Sequence, residues 1–143
     1  MTLPADTRTR TLFTHPVRVY WEDTDAGGIV FYANYLKFFE RARTEWLRHL
    51  GMEQQALRDS TGAMFVVTQT QTRYRAPARL DDLLQVTVLL KHAGKASMQI
   101  VQQAWRGNVL LAEGDVHIGC VGVDADGSFK PRRIPPVLLA LFA

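Results

Sequence analysis

The chain has 143 residues, 47% of them hydrophobic and 22% charged, with a formal net charge of +3. That length suits one domain with a sizeable core, and that composition excludes a disordered chain. The positive balance, 13 arginines against 4 lysines among the basic residues, is too slight for a dedicated nucleic-acid binder, though it suits a polyanionic ligand or an acidic partner protein. No apolar run approaches the roughly 20 residues of a membrane span. The first ten residues, MTLPADTRTR, contain no apolar signal-peptide core. Cys120 is the only cysteine, so an internal disulfide is excluded, and its apolar surroundings predict a buried free thiol. Cytoplasmic residence is the expectation.

In chain order, residues 1–12 read as a mobile leader. Phe13 to Trp21 is the first expected strand, with Val17, Val19 and Trp21 on one face. It enters a loop, E-D-T-D-A-G-G, in which Glu22, Asp23 and Asp25 precede Gly27 and Gly28. The glycines permit positive φ. One long helix follows. Asn34 is its expected N-cap and Gly51 its stop, and Tyr35, Phe39, Ala42, Trp46 and Leu50 recur at helical spacing. Leu36, Phe38, Leu47 and His49 widen the stripe, so the helix should be deeply buried. Lys37, Arg41, Thr44 and Arg48 form the solvated face. Arg43 falls inside the apolar arc three residues after Glu40, and an ion pair bordering the core is the plain reading.

Everything beyond the helix reads mostly as sheet. Met52 to Gly62 is a polar connection with a helical turn. Ala63 to Tyr74 is a strand, Pro77 and Arg79 mark a break, and Asp81-Asp82 a turn. Leu83 to Lys91 is a strong strand of mostly β-branched and leucine residues. Ala93-Gly94-Lys95 is a tight turn, and Ala96–Trp105 with Val109–Val123 form a hairpin around Arg106-Gly107-Asn108. After a turn at residues 124–127, Lys130 to Pro136 is extended and basic, and Val137 to Phe142 is an apolar tail or terminal helix. One long helix and about five antiparallel strands make an α+β domain covering residues 1–143 without repeat or linker.

Chemistry-bearing residues concentrate in the loop. Carboxylates beside a helix N-terminus have ordinary explanations in capping and solubility, but here strand, D-x-D-x-G-G, aromatic pair and aromatic helix follow one another. Other constellations are weak. His15, His49, His92 and His117 show no metal-ligand spacing; Ser60, Ser97 and Ser128 lack a nucleophile-elbow context; and no phosphate-binding glycine motif occurs. No metal or cofactor is called for.

The segment E-D-T-D-A-G-G-I-V-F-Y-A-N-Y-L-K-F-F-E-R-A-R-T-E-W-L-R resembles the signature of hot-dog-fold acyl-CoA thioesterases. The closest group is the 4-hydroxybenzoyl-CoA thioesterase family, with its Tol–Pal-associated subgroup. A weaker match continues through Y-R-A-P-A-R-L-D-D-L-L-Q-V, from Tyr74 to Val86. The resemblance implies an antiparallel sheet wrapped around the central helix. It implies homodimers or homotetramers with active sites at the dimer interface, and hydrolysis of an acyl-CoA. Asp25 matches the catalytic aspartate, as general base or as nucleophile. The Tyr32 backbone N–H matches the donor that polarises the carbonyl. Gly28 and Phe31 are the implied substrate neighbours, and Lys91 and Lys95 the implied contacts of coenzyme A phosphates. Many Tol–Pal-associated members carry histidine where this chain has Tyr32, so Phe31-Tyr32 is closer to the hydroxybenzoyl type and leaves the acyl group open.

Asp23 is expected to hold the loop through backbone hydrogen bonds. Glu40 is a third candidate, because another thioesterase class of this fold uses a helix glutamate. A dehydratase of the same fold would want a loop histidine, and none lies between His15 and His49. A non-catalytic protein binding acyl-CoA or acyl carrier protein is the remaining alternative.

Overall fold

The computed structural model describes residues 12–142; residues 1–11 of the leader expectation lie outside the described residues. Six strands and three helices succeed one another as β1 (Phe13–Arg18), α1 (Asn34–His49), α2 (Gln54–Thr61), β2 (Met64–Tyr74), β3 (Leu83–Ala93), β4 (Ser97–Arg106), β5 (Val109–Val123), β6 (Phe129–Pro131) and α3 (Pro136–Phe142). The sheet order is β1-β3-β4-β5-β2, antiparallel throughout. The three-residue β6 pairs with Val121–Val123 of β5, beyond the point where β4 begins its pairing at Gly119.

Composition explains the strand positions. Pro16 lies in β1, which among the described residues pairs with β3 alone, an edge position that tolerates a missing N–H. β5 alternates buried and half-buried residues along almost its whole length, the pattern of a strand with one face on the core.

Helix α1 lies in the concave face of that sheet. Phe38, Phe39 and Ala42 are completely buried, and Tyr35, Trp46 and Leu47 nearly so. The expected stripe is therefore present, except that Leu36 and His49 are exposed. A close approach falls at Gly114 of β5, where an added Cβ would stand 2.8 Å from the Phe39 ring. The absent side chain lets helix and sheet meet there.

The two ends of α1 differ from one another. At the C-terminus Gly51 has φ +87, its N–H donates to the Arg48 carbonyl, and Met52 N–H donates to the Leu47 carbonyl. This is the Schellman arrangement, and the glycine stop holds as expected. At the N-terminus the expected cap is corrected. Asn34 is the first helical residue, and Ala33 stands at the cap without a side-chain bond. The Asn34 amide Nδ2 instead donates backwards to the Asp23 carbonyl at 2.8 Å. The side chain thereby ties the first turn of the helix to the loop.

Arg43 also departs from expectation. Its Nη1 donates to Gln102 Oε1 at 2.9 Å, and no Arg43–Glu40 ion pair forms among the described residues. Gln102 is fully buried, and its Nε2 donates to the Phe39 and Thr87 carbonyls. Arg43 thus satisfies a core amide that bridges helix and sheet. Burial lowers the Arg43 pKa, with Glu40 opposing.

Candidate active site

The loop between β1 and α1 is welded at its base by Asp23, which is 5% exposed. Its carboxylate Oδ2 accepts from Tyr20 N–H at 2.8 Å. Its backbone carbonyl accepts from Phe31 N–H at 2.9 Å and from Asn34 Nδ2. Asp23 therefore has the loop-holding role expected of it. The first strand, expected over Phe13 to Trp21, ends at Arg18, and its last expected residue, Trp21, instead opens a 3-10 turn over Trp21–Asp23, because these bonds fold the chain back on itself.

Above the base the loop is a miniature hairpin. Thr24 bridges to Val30, Asp25 N–H donates to the Ile29 carbonyl at 2.9 Å, and Gly28 N–H donates to the Asp25 carbonyl at 3.0 Å. Gly28 takes φ +76, which a residue with a Cβ enters at a cost. Asp25 itself is exposed. Its Oδ1 accepts from Gly27 N–H at 2.8 Å, which fixes the carboxylate in an Asx turn. Among the described residues Oδ2 has no partner, leaving one oxygen of an oriented carboxylate free to take a proton or attack a carbon.

From below, the loop rests on residues 76–82. Val30 N–H donates to the Ala78 carbonyl at 2.9 Å, and Ile29 bridges to Arg79. Asp82 anchors this support by accepting from Arg79 N–H at 2.8 Å and from Arg106 Nη1 at 2.9 Å. Burial raises the Asp82 carboxyl, but these two donors outweigh it and hold the group below its ordinary value.

At the helix entry, Tyr32 is exposed and its N–H donates to nothing among the described residues. It sits where the helix macrodipole is positive. Beside it opens a cavity of about 270 Å³ lined by Ile29, Val30, Tyr32, Tyr35, Tyr74 and Arg75, among others. Phe31 packs against Tyr32 at 4.8 Å between ring centroids and is partly exposed.

The fold thus gathers Asp25, Gly28, Phe31 and Tyr32 into one loop and helix entry. It does not gather the lysines with them. The start of β3 lies under the loop, since Val19 N–H donates to the Asp82 carbonyl. Lys91 is eight residues further along β3, roughly 26 Å at strand rise, and Lys95 lies beyond it in the turn before β4. In a single chain both stand at the opposite end of the sheet from Asp25. Arg75, which lines the cavity, and Arg79, bridged to Ile29, are cations close to the loop. Glu40 lies six residues into α1, roughly 9 Å along the axis from Asn34, and lines a separate cavity of about 170 Å³ with Arg43, Trp46 and Phe65.

Tyr35, Tyr74 and Arg75 are site residues that pattern reading misses. Tyr35 counts only as a core position on the helix stripe, and Tyr74 and Arg75 belong to a distant strand end. Their one sequence signal is the weaker matching block that begins at Tyr74.

A single long helix in the grip of an antiparallel sheet, with an aspartate-glycine loop feeding its N-terminus, defines the hot-dog thioesterase class. The profile of the thioesterase-like superfamily matches residues 19–142, and the chain belongs to that family. It is 45% identical over 133 residues to the acyl-CoA thioester hydrolase YbgC of Escherichia coli O6:H1, covering 92% of this chain and 96% of that protein. It is 42% identical over 130 residues to the acyl-CoA thioesterase YbgC of Haemophilus influenzae, covering 91% and 93%. A probable thioesterase from Bartonella henselae superposes with a TM-score of 0.79 at 32% identity, over 87% of this chain and 100% of that one.

Proposed function

We propose that this protein hydrolyses the thioester of an acyl-CoA, with Asp25 as the proton acceptor or nucleophile and the Tyr32 N–H as the oxyanion donor. One observation carries the site assignment: an oriented carboxylate with a free oxygen and an unpartnered N–H stand on one welded loop. In the general-base form, Asp25 takes a proton from water as the oxygen attacks the thioester carbon. The carbonyl oxygen gains charge and the Tyr32 N–H, backed by the α1 dipole, stabilises it. Collapse breaks the C–S bond, and the Asp25 proton passes to the departing thiolate. In the covalent form, Oδ2 attacks the carbon directly, the C–S bond breaks to expel the coenzyme A thiolate, and water then cleaves the resulting anhydride, regenerating the Asp25 carboxylate and supplying the proton that the thiolate takes up. Either route produces a free acid and coenzyme A.

Gly28 permits the turn that presents Asp25, and Phe31 and Tyr32 border the acyl group. Arg75 and Arg79 are same-chain cations close to the loop and are the candidates for coenzyme A phosphates. Lys91 and Lys95 are reserved for a substrate held by a neighbouring copy. The assembly proposed is a homodimer or homotetramer with the site at the dimer interface. In the single chain Trp21 is 82% exposed, and Tyr20, Phe31, Tyr32 and Tyr74 are exposed too, the last three linked by ring contacts. Exposed aromatic side chains of this number favour burial against a partner. No helix among the described residues is long and apolar enough to cross a membrane, and cytoplasmic residence is part of the proposal. An acyl carrier protein is an alternative donor of the acyl group.

The test is thiol release from acetyl-, butyryl-, hexanoyl-, palmitoyl-, benzoyl- and 4-hydroxybenzoyl-CoA, with the oligomeric state measured by sedimentation. Turnover of at least one member by a dimer or tetramer supports the reading. Binding without turnover on every member supports the non-catalytic acyl-binding alternative.

A further inference from the structure

Tyr74 ends β2 and reaches the helix entry, where its hydroxyl donates to the backbone carbonyl of Tyr32 at 2.9 Å. Tyr32 is the residue whose own N–H is unpartnered. The Tyr74 ring also meets Tyr32 edge-on at 6.1 Å and Tyr35 edge-on at 5.6 Å. Tyr35 in turn accepts from Ala78 N–H at 3.2 Å, and Ala78 carries the loop through its carbonyl bond to Val30. Three tyrosines therefore join β2, the support under the loop and the helix entry at Tyr32.

We infer that Tyr74 is a positioning residue of the hydrolytic site, its hydroxyl pinning the Tyr32 carbonyl so that the Tyr32 N–H stays aimed outward at the developing oxyanion. The inference rests on the role given to Tyr32 above. Phe31 is held by its N–H bond to the Asp23 carbonyl at 2.9 Å, and its own carbonyl accepts from Asn34 N–H at 2.8 Å, which holds the peptide that carries the Tyr32 N–H. The next peptide, between Tyr32 and Ala33, is held through its carbonyl by Tyr74. Without the Tyr74 bond this second peptide is free to flip, the turn between loop and helix loosens, and the Tyr32 N–H loses its fixed aim; preorganisation is the source of an oxyanion donor's effect. The bond also polarises the peptide between Tyr32 and Ala33, strengthening the Ala33 N–H as a neighbouring donor. Burial and the neighbouring Tyr32 both raise the pKa of the Tyr74 hydroxyl, so it remains protonated and able to donate across the neutral range.

Tyr74→Phe removes the hydrogen bond and keeps the ring. Steady-state turnover of the best acyl-CoA in the panel above is measured for wild type and variant, well below the unfolding midpoint of each. The expected result is a kcat lower by about tenfold with KM within about twofold, the signature of an interaction expressed in the transition state. A merely structural tyrosine would lower the unfolding midpoint and leave kcat per folded molecule intact. An unchanged kcat, a rise in KM alone, or a loss of rate that follows loss of folded protein overturns the inference. Asp25→Asn is assayed in parallel. Full turnover there would overturn the site reading itself, whatever Tyr74→Phe does.

Discussion

Gly114→Ala probes the contact on which the whole arrangement of helix and sheet depends. The new Cβ would stand 2.8 Å from Phe39 Cε2 and 3.1 Å from Cδ2, where carbon atoms ordinarily rest about 3.5–4.0 Å apart. The Phe39 ring has no solvent-facing escape, being completely buried. It must retreat by several tenths of an ångström into packed neighbours or carry α1 with it. Overpacking of this kind costs about 1–3 kcal/mol, and the loss of glycine's freedom in the unfolded chain returns roughly 0.5–1 kcal/mol. The net expectation is about 1–2 kcal/mol of destabilisation, or a fall in melting temperature of roughly 3–6 °C for a domain of this size. Urea unfolding followed by tryptophan fluorescence measures it. Phe39→Leu removes the ring edge, so the double variant should show a coupling of at least about 1 kcal/mol, with alanine at 114 nearly neutral there. A Gly114→Ala midpoint equal to or above wild type, or additivity in the double variant, would refute the contact.

Gly28→Ala should act on the loop tip alone. No atom lies within 4 Å of the added Cβ, so the cost is the backbone strain at φ +76, about 1 kcal/mol. Turnover should drop several-fold with a fall in melting temperature of roughly 3 °C; equal turnover would show that the turn does not matter. Arg43→Met strips the donor from buried Gln102 and should destabilise by about 1–3 kcal/mol. Glu40→Gln should stay within about 0.5 kcal/mol, and the reverse ranking in urea melts would restore the Glu40 ion pair. The Asp82 carboxyl is held below its ordinary value in the folded state, so its contribution is present above about pH 4 and disappears as pH falls through the folded value. The stability gap between wild type and Asp82→Asn should therefore close on acidification below that range, and a gap that widens would reverse the assigned sign.

Much of this architecture was readable in the chain because it is local. The 3.6-residue recurrence of Tyr35, Phe39, Ala42 and Trp46 marks the buried face of α1, and Gly51 marks its end. Val109–Val123 has the same limits in the sequence reading and in the fold. Asn34 misled because capping preference is a statement about neighbours, whereas its actual acceptor, the Asp23 carbonyl, lies eleven residues back across a folded loop. Arg43 misled for a similar reason: Glu40 is close in sequence, but Gln102 comes to it from β4. Three-residue β6 has too short a pattern to announce itself. The terminal residues 136–142 do form a helix, with Trp46 and Phe142 stacked at 5.3 Å, an outcome composition alone left open. In the site, the loop residues are contiguous and so were legible together. Tyr74 and Arg75 join them only through the β2–β5 register and the segment that follows β2.

The most direct measurement compares Asp25→Asn with wild type on the best acyl-CoA, recording kcat, binding of that acyl-CoA and the unfolding midpoint together. Asparagine keeps the acceptor that Gly27 N–H uses while removing the basicity and charge that hydrolysis needs. The account predicts a kcat reduced by about 10²–10⁴-fold, with binding and midpoint close to wild type. Turnover at the wild-type rate by a folded, substrate-binding Asp25→Asn protein would contradict it and move the chemistry away from this loop.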